Sequence, residues 1–134
     1  MLELTYVSYA CNLIKNDIIT CYKFEISGIE NISDIRLDRL GSNMTIYQKL
    51  EMLEEYIRKN KLYFYKTEFI DLTSNSLIKE KSYICWIYKY PHQGRIIEKL
   101  DHIQDDELEL WIIEKLIGVS DKNIENYFEE KNNK

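Results

Sequence analysis

The chain has 134 residues, 45% of them apolar and 31% charged, enough to enclose a core as one domain over 1–134 and far from the charge-rich composition of a disordered chain. A net charge of −5 at pH 7 argues against general affinity for polyanions, and three widely spaced cysteines, Cys11, Cys21 and Cys85, fit neither a disulfide framework nor a zinc site. No window approaches the ~20 apolar residues of a membrane helix, and the opening MLELTYVSYACNLIKND has no basic stretch ahead of a long apolar run, so a cytoplasmic chain with reduced thiols and no metal, cofactor or membrane partner is expected.

The segment LTYVSYACNLI is rich in β-formers and is followed by IITCYKFEI, where Thr20, Tyr22, Phe24 and Ile26 alternate with Ile19, Cys21, Lys23 and Glu25. This pattern predicts a β-hairpin turning at Asn16-Asp17, although Tyr6, Tyr9 and Leu13 also share a helical face. Gly28 ends the second strand, and IENISDIRLDRLGSN forms a connection with room for a short helical turn. Thr45 and Gln48 then make a capping box ahead of Ile46, Leu50, Leu53 and Ile57, which predicts an amphipathic helix near 45–59.

KLYFYKTEFIDL and KSYICWIYKY, separated by the turn-forming TSNS and closed by Pro91, read as a second hairpin. From Arg95 the period is helical: Ile96, Ile97, Leu100 and Ile103, a break at residues 104–106, then Leu108, Trp111, Ile112, Lys115 and Leu116, a stop at Gly118, and a last helix with Ile124, Tyr127 and Phe128. The fold class predicted is α+β: a four-stranded antiparallel sheet of two hairpins, covered on one face by about four helices, with a hairpin-helix-hairpin region over 1–92 and an acidic helical region over 93–134.

Charge is distributed unevenly. Residues 1–60 carry seven basic and nine acidic side chains, residues 61–97 six and three, and residues 98–134 five and eleven, giving −2, +3 and −6. Such asymmetry bears on partners more than on fold.

In the acidic third, LIGVSDKNIENYF resembles the centre of a helix-turn-helix motif, with Ile113, Ile117, Gly118, Val119, Ile124 and Tyr127 at the positions that hold the corner. The resemblance implies a second helix reading duplex DNA. That helix would offer Asp121, Lys122, Asn123, Glu125, Asn126, Glu129 and Glu130 and no arginine, a set that repels phosphate, so the corner reads first as architecture or a protein contact.

The basic middle interleaves eight aromatics with Lys61, Lys66, Lys79, Lys81, Lys89 and Arg95. Rings that stack bases beside cations that meet phosphates are a way to hold a nucleotide, which nominates Tyr63, Tyr65, Lys66, Trp86, Tyr88, Tyr90, His92 and Arg95 as a ligand-binding set, with YPHQGR as its loop around a flexible glycine. The opposing reading makes about half of these rings core, because one face of the strand must be buried. No phosphate loop, nucleophile elbow or catalytic constellation is present, and no catalytic residue is nominated.

The acidic helices nominate a partner-binding set of Asp105, Asp106, Glu107, Glu109, Asp121 and Glu125, suited to a protein with a basic surface. Twenty isoleucines, fourteen lysines, eleven tyrosines and ten asparagines beside one alanine follow AT-rich codons. In size, charge and codon bias the chain is similar to small acidic proteins of phages and mobile elements that inhibit host enzymes or defence systems or neutralise toxins. The expectation is therefore a non-enzymatic inhibitor that binds a host or defence protein stoichiometrically, with nucleotide sequestration as the alternative and DNA regulation third.

Overall fold

The computed structural model describes residues 2–31, 44–70 and 80–118, together with Asn126, Glu129 and Glu130. The short turn expected within 32–43, the TSNS turn at 73–76 and the last helix with Ile124, Tyr127 and Phe128 lie outside the described residues.

Leu2–Lys15 is a helix, α1, not the first strand of a hairpin. Its β-rich composition is overridden by spacing: Val7, Ala10, Cys11 and Ile14 are all buried, which a helix allows and a strand, with alternate residues on opposite faces, does not. Glu3 in the first turn and Lys15 in the last suit the helix dipole. Asn16-Asp17 does turn the chain, but as a helix terminus. The Asp17 N–H bonds Ile14 O at 3.1 Å, the Ile18 N–H bonds Leu13 O at 2.9 Å, and Asp17 takes the left-handed conformation at φ 56°, a Schellman ending without glycine.

With α1 helical, three strands remain among the described residues: β1 (Cys21–Ile29), β2 (Tyr63–Phe69) and β3 (Glu80–Tyr88), in the order β1-β3-β2, all antiparallel. The expected second hairpin is present as β2 and β3, in register from Tyr63 opposite Tyr88 to Phe69 opposite Ser82. The strand β1 pairs with the far side of β3, Cys21 opposite Tyr88 through Ile29 opposite Glu80, and the turn at Asn16-Asp17 joins it to a helix. Among the described residues the molecule is thus α+β, with four α-helices and a three-stranded sheet.

Between β1 and β2 runs α2 (Ile46–Lys59), and its start is as the capping box demands: Gln48 N donates to Thr45 Oγ1 at 3.3 Å and Thr45 N to Gln48 Oε1 at 2.9 Å. Ile46, Leu50, Leu53 and Ile57 are buried, each contributing about 1.5–3 kcal/mol. Gly28 does not end β1. It lies where the α2 backbone arrives, and a Cβ there would stand 3.3 Å from the N, Cα and Cβ of Ile46. A second Schellman ending follows α2, with Lys61 left-handed at φ 60° and Leu62 N donating to Ile57 O at 3.2 Å.

The helices cover both faces of the sheet, not one. Ile26, Cys85 and Ile87 join α1 and α2 in one core, while Cys21, Trp86 and Tyr88 join Ile97, Leu100 and Leu116 in the other. The central strand explains this: Cys85, Trp86, Ile87 and Tyr88 are buried in succession, as in any strand sandwiched between two layers. The second layer is α3 (Pro91–Lys99), a single 3-10 turn at Leu100–His102, and α4 (Asp106–Leu116). Pro91 does not merely close the hairpin; it occupies the first turn of α3, where its missing N–H costs nothing. No helix among the described residues is long and apolar enough to cross a membrane.

Candidate functional site

Tyr63, Tyr65, Trp86 and Tyr88 fall on one sheet face, since Tyr63 opposes Tyr88 and Tyr65 opposes Trp86. Tyr63 and Tyr88 stack with centroids 5.3 Å apart. That face lies under α3 and α4, however, and Trp86 at 3% and Tyr88 at 9% exposure are core. The Tyr65 and Thr67 hydroxyls both donate to Asp101 Oδ2 at 3.4 Å, tying β2 to the 3-10 turn. The remaining space, bordered by Lys23, Tyr65, Trp86 and Asp101, is about 40 Å³. A ligand pocket starts at about 300 Å³, and this cleft is far smaller.

Lys66 opposes Cys85 and therefore points to the opposite face from Tyr65. Tyr90, His92 and Arg95 stand together as an exposed corner at the start of α3. There Tyr90 stacks on His92 at 5.9 Å and donates to Asp17 Oδ1 at 3.4 Å, while Lys89 Nζ lies 3.2 Å from the same carboxylate and donates to Lys15 O at 3.2 Å. The Asp17 hydrogen bond holds the Lys89 ammonium above its ordinary pKa. The corner is a clip joining the end of α1 to the end of β3. Gly94 is not a flexible hinge but a packing glycine: its absent Cβ would lie 2.4 Å from Tyr88 Oη. Beside it the buried Gln93 accepts at Oε1 from Tyr90 N (3.0 Å) and Lys89 N (3.3 Å) and donates to Thr20 O (3.4 Å), using three of the amide's four hydrogen-bonding positions.

A cluster with no sequence signature joins α2 to the far ends of β1 and β3. Lys81 Nζ lies 3.2 Å from Glu30 Oε1, 3.8 Å from Glu68 Oε1 and 5.6 Å over the Tyr47 ring, and Tyr47 Oη donates to Glu30 Oε1 at 3.1 Å. Tyr47 and then Glu30 hold the Lys81 ammonium well above its usual pKa. Lys81 and Lys89, two of the cations expected to meet phosphate, are thus already engaged. The three thiols are buried, which pushes Cys11 up to about 11 and Cys21 and Cys85 up to about 12, so none is a thiolate at neutral pH. Among the described residues no group of three or more His, Cys, Asp or Glu could hold a metal ion.

The acidic set behaves differently. Asp105 caps α4, its Oδ1 accepting from Glu107 N at 3.1 Å and Leu108 N at 3.2 Å, so one of its oxygens serves the helix terminus. Asp106 and Glu107 are exposed on the first turn, and Glu109 is half-buried near Lys23 in the small cleft. Asp121 and Glu125 lie outside the described residues. From Asp105 to Leu116 five carboxylates stand against one lysine.

Within this field α4 exposes two large apolar side chains, Leu108 at 47% and Trp111 at 42%. Sequence periodicity placed both in the helical period with Ile112, Lys115 and Leu116. The helix is apolar on more than one side, and the side with Ile112, Ile113, Leu116 and Ile117 reaches the second core. The signal was therefore present: an apolar surplus that a single sheet face cannot absorb. No family model, curated protein or solved structure matches the chain.

Proposed function

We propose that this protein is a small acidic binding protein that acts stoichiometrically, occupying a basic surface on another protein through the outer face of α4. Supporting this reading is the exposed pair Leu108 and Trp111, one turn apart on a helix that carries Asp106, Glu107, Glu109 and Glu114 against Lys115. Exposed Trp is the side chain most enriched among interface anchors, and surrounding charge steers encounter and fixes register. Asp121 and Glu125 continue the acidic run in sequence. A partner for it has an apolar groove rimmed by Lys and Arg, as the nucleic-acid-binding surfaces of host or defence enzymes do. Inhibition would follow from occupancy, in the manner of an anti-defence or immunity protein encoded by a phage or mobile element in the cytoplasm of its host.

The test is a photo-crosslinking amino acid placed at Leu108, and in a second variant at Glu55 on the exposed side of α2, used to capture proteins from a host extract. The reading requires a basic protein captured from position 108, not from 55, at a yield that falls as salt is raised. Equal capture from both positions would refute it.

A second reading, nucleotide binding, has one observation in its favour: a surface cleft of about 490 Å³ between the end of α2 and the start of β2, bordered by Arg58, Lys61 and the exposed Tyr63. It offers Lys61, and Arg58 already paired with Glu54 at 2.8 Å, beside an aromatic face. A thermal-shift screen with mono-, di- and cyclic nucleotides decides it; no shift at millimolar ligand eliminates it.

A further inference from the structure

We propose that β1 is a homodimerisation edge, pairing antiparallel with β1 of a second copy across a two-fold axis at Phe24 and joining two three-stranded sheets into one of six. This surface is independent of the α4 reading.

Among the described residues, β1 is paired on one side only, by β3. Its nine residues pair with β3 without interruption, so no bulge twists the free edge away from a partner, and it contains no proline. Edges of this kind are either protected or used.

The side chains favour use by a second copy. Around Phe24 the strand reads Tyr22, Lys23, Phe24, Glu25, Ile26. Pairing antiparallel about that centre sets Lys23 opposite the partner's Glu25 and Glu25 opposite the partner's Lys23, two cross-strand charge pairs on one face. It also sets Phe24 against its own copy and Tyr22 against the partner's Ile26 on the other. Lys23 and Glu25 lie on the same face because they oppose Trp86 and Ile84, residues of one parity on β3. Neither side chain makes a hydrogen bond or ion pair among the described residues. Sterically the same register is accommodated: α4 overhangs the first half of the edge, leaving a cleft of about 350 Å³ beside Ile19, Cys21, Tyr22, Lys23, Ile113 and Ile117. The residues a second copy would bring into it, opposite Cys21 and Thr20, are Ser27 and Gly28, the smallest of the strand.

The other edge, β2, carries a similar pair in Lys66 and Glu68, but Glu68 already meets Lys81 at 3.8 Å. Charge complementarity therefore singles out β1.

Sedimentation equilibrium of the full chain over a range of concentrations tests this. The wild type should reach about twice the 16.2 kDa chain mass. Lys23→Glu and Glu25→Lys each set like charges against each other at both symmetry-related positions and should weaken the dimer at least tenfold, while the double charge swap restores it and Lys66→Glu changes nothing. Circular dichroism checks that each variant keeps the fold, Glu25 being exposed and Lys23 half-buried. A wild type that stays monomeric overturns the proposal and leaves the edge to an extended peptide. A dimer indifferent to both reversals, one not restored by the swap, or one dissolved by Lys66→Glu overturns it equally.

Discussion

Replacing Gly94 by alanine tests the packing of the second core at one atom. At a free helical position the change stabilises by about 1 kcal/mol, through helix propensity alone. Here the new methyl would stand 2.4 Å from Tyr88 Oη, 2.7 Å from Cζ and 2.9 Å from Cε2, and the ring cannot yield easily because it is buried and stacked on Tyr63. Overpacking of this depth costs about 2–3 kcal/mol, so the net loss is about 1–2 kcal/mol, a fall in Tm of about 3–10 °C for a chain of this length. Tyr88→Phe removes Oη but leaves the two ring carbons too close, so the double variant should recover only part of the loss. Differential scanning calorimetry of the cycle reads all three values. A Gly94→Ala variant more stable than wild type would mean that α3 does not approach Tyr88 as described.

Further outcomes follow from other parts of the structure. Lys61→Gly should raise stability by about 0.5–1 kcal/mol in urea unfolding, because Lys61 holds φ 60° at the end of α2, a conformation that costs a side chain and not a glycine. Leu108→Ala with Trp111→Ala should leave stability within about 1 kcal/mol, as expected of exposed side chains, yet weaken binding to a captured partner by about 30-fold or more, the loss typical of an anchor. For pH, the buried thiols have folded pKa values raised from 9.0 to about 11 or 12, so their contribution is complete below 9.0 and is lost as pH climbs through that window, when the unfolded chain releases protons the folded one retains. Tm should therefore be flat from neutrality to about 9 and fall above it, with a shallower fall in a Cys11→Ala, Cys21→Ser, Cys85→Ala variant.

What could be read from sequence was local. The cap at Thr45 and Gln48 and the spacing of Ile46, Leu50, Leu53 and Ile57 involve residues within a few turns, and α2 formed as written. Residues 2–15 were misread because Thr5, Tyr6, Val7 and Tyr9 favour strands by propensity, whereas the decision is made by burial of Val7, Cys11 and Ile14 against α2 and the sheet, contacts distant in sequence. Alternation along β3 was legible, but the consecutive apolar run Ile84 to Tyr88 already indicated burial on both faces, and treating one face as open made Trp86 and Tyr88 candidates for ligand stacking. Lys81, Glu30 and Tyr47 are brought together by topology alone, and no spacing could announce them. The exposed pair on α4 was visible only as an excess of apolar residues beyond what one helix face can bury.

The reading of function depends on Trp111 being open to solvent inside a negative field while Trp86 is closed. Collisional quenching of tryptophan fluorescence measures both properties together. Caesium, a cation, should quench the Trp111 emission efficiently and iodide only weakly at low ionic strength, the difference shrinking as salt is added, and Trp111→Phe should abolish the quenchable fraction. Iodide quenching equal to or stronger than caesium quenching, or emission reached by neither ion, would contradict an exposed anchor in an acidic surround.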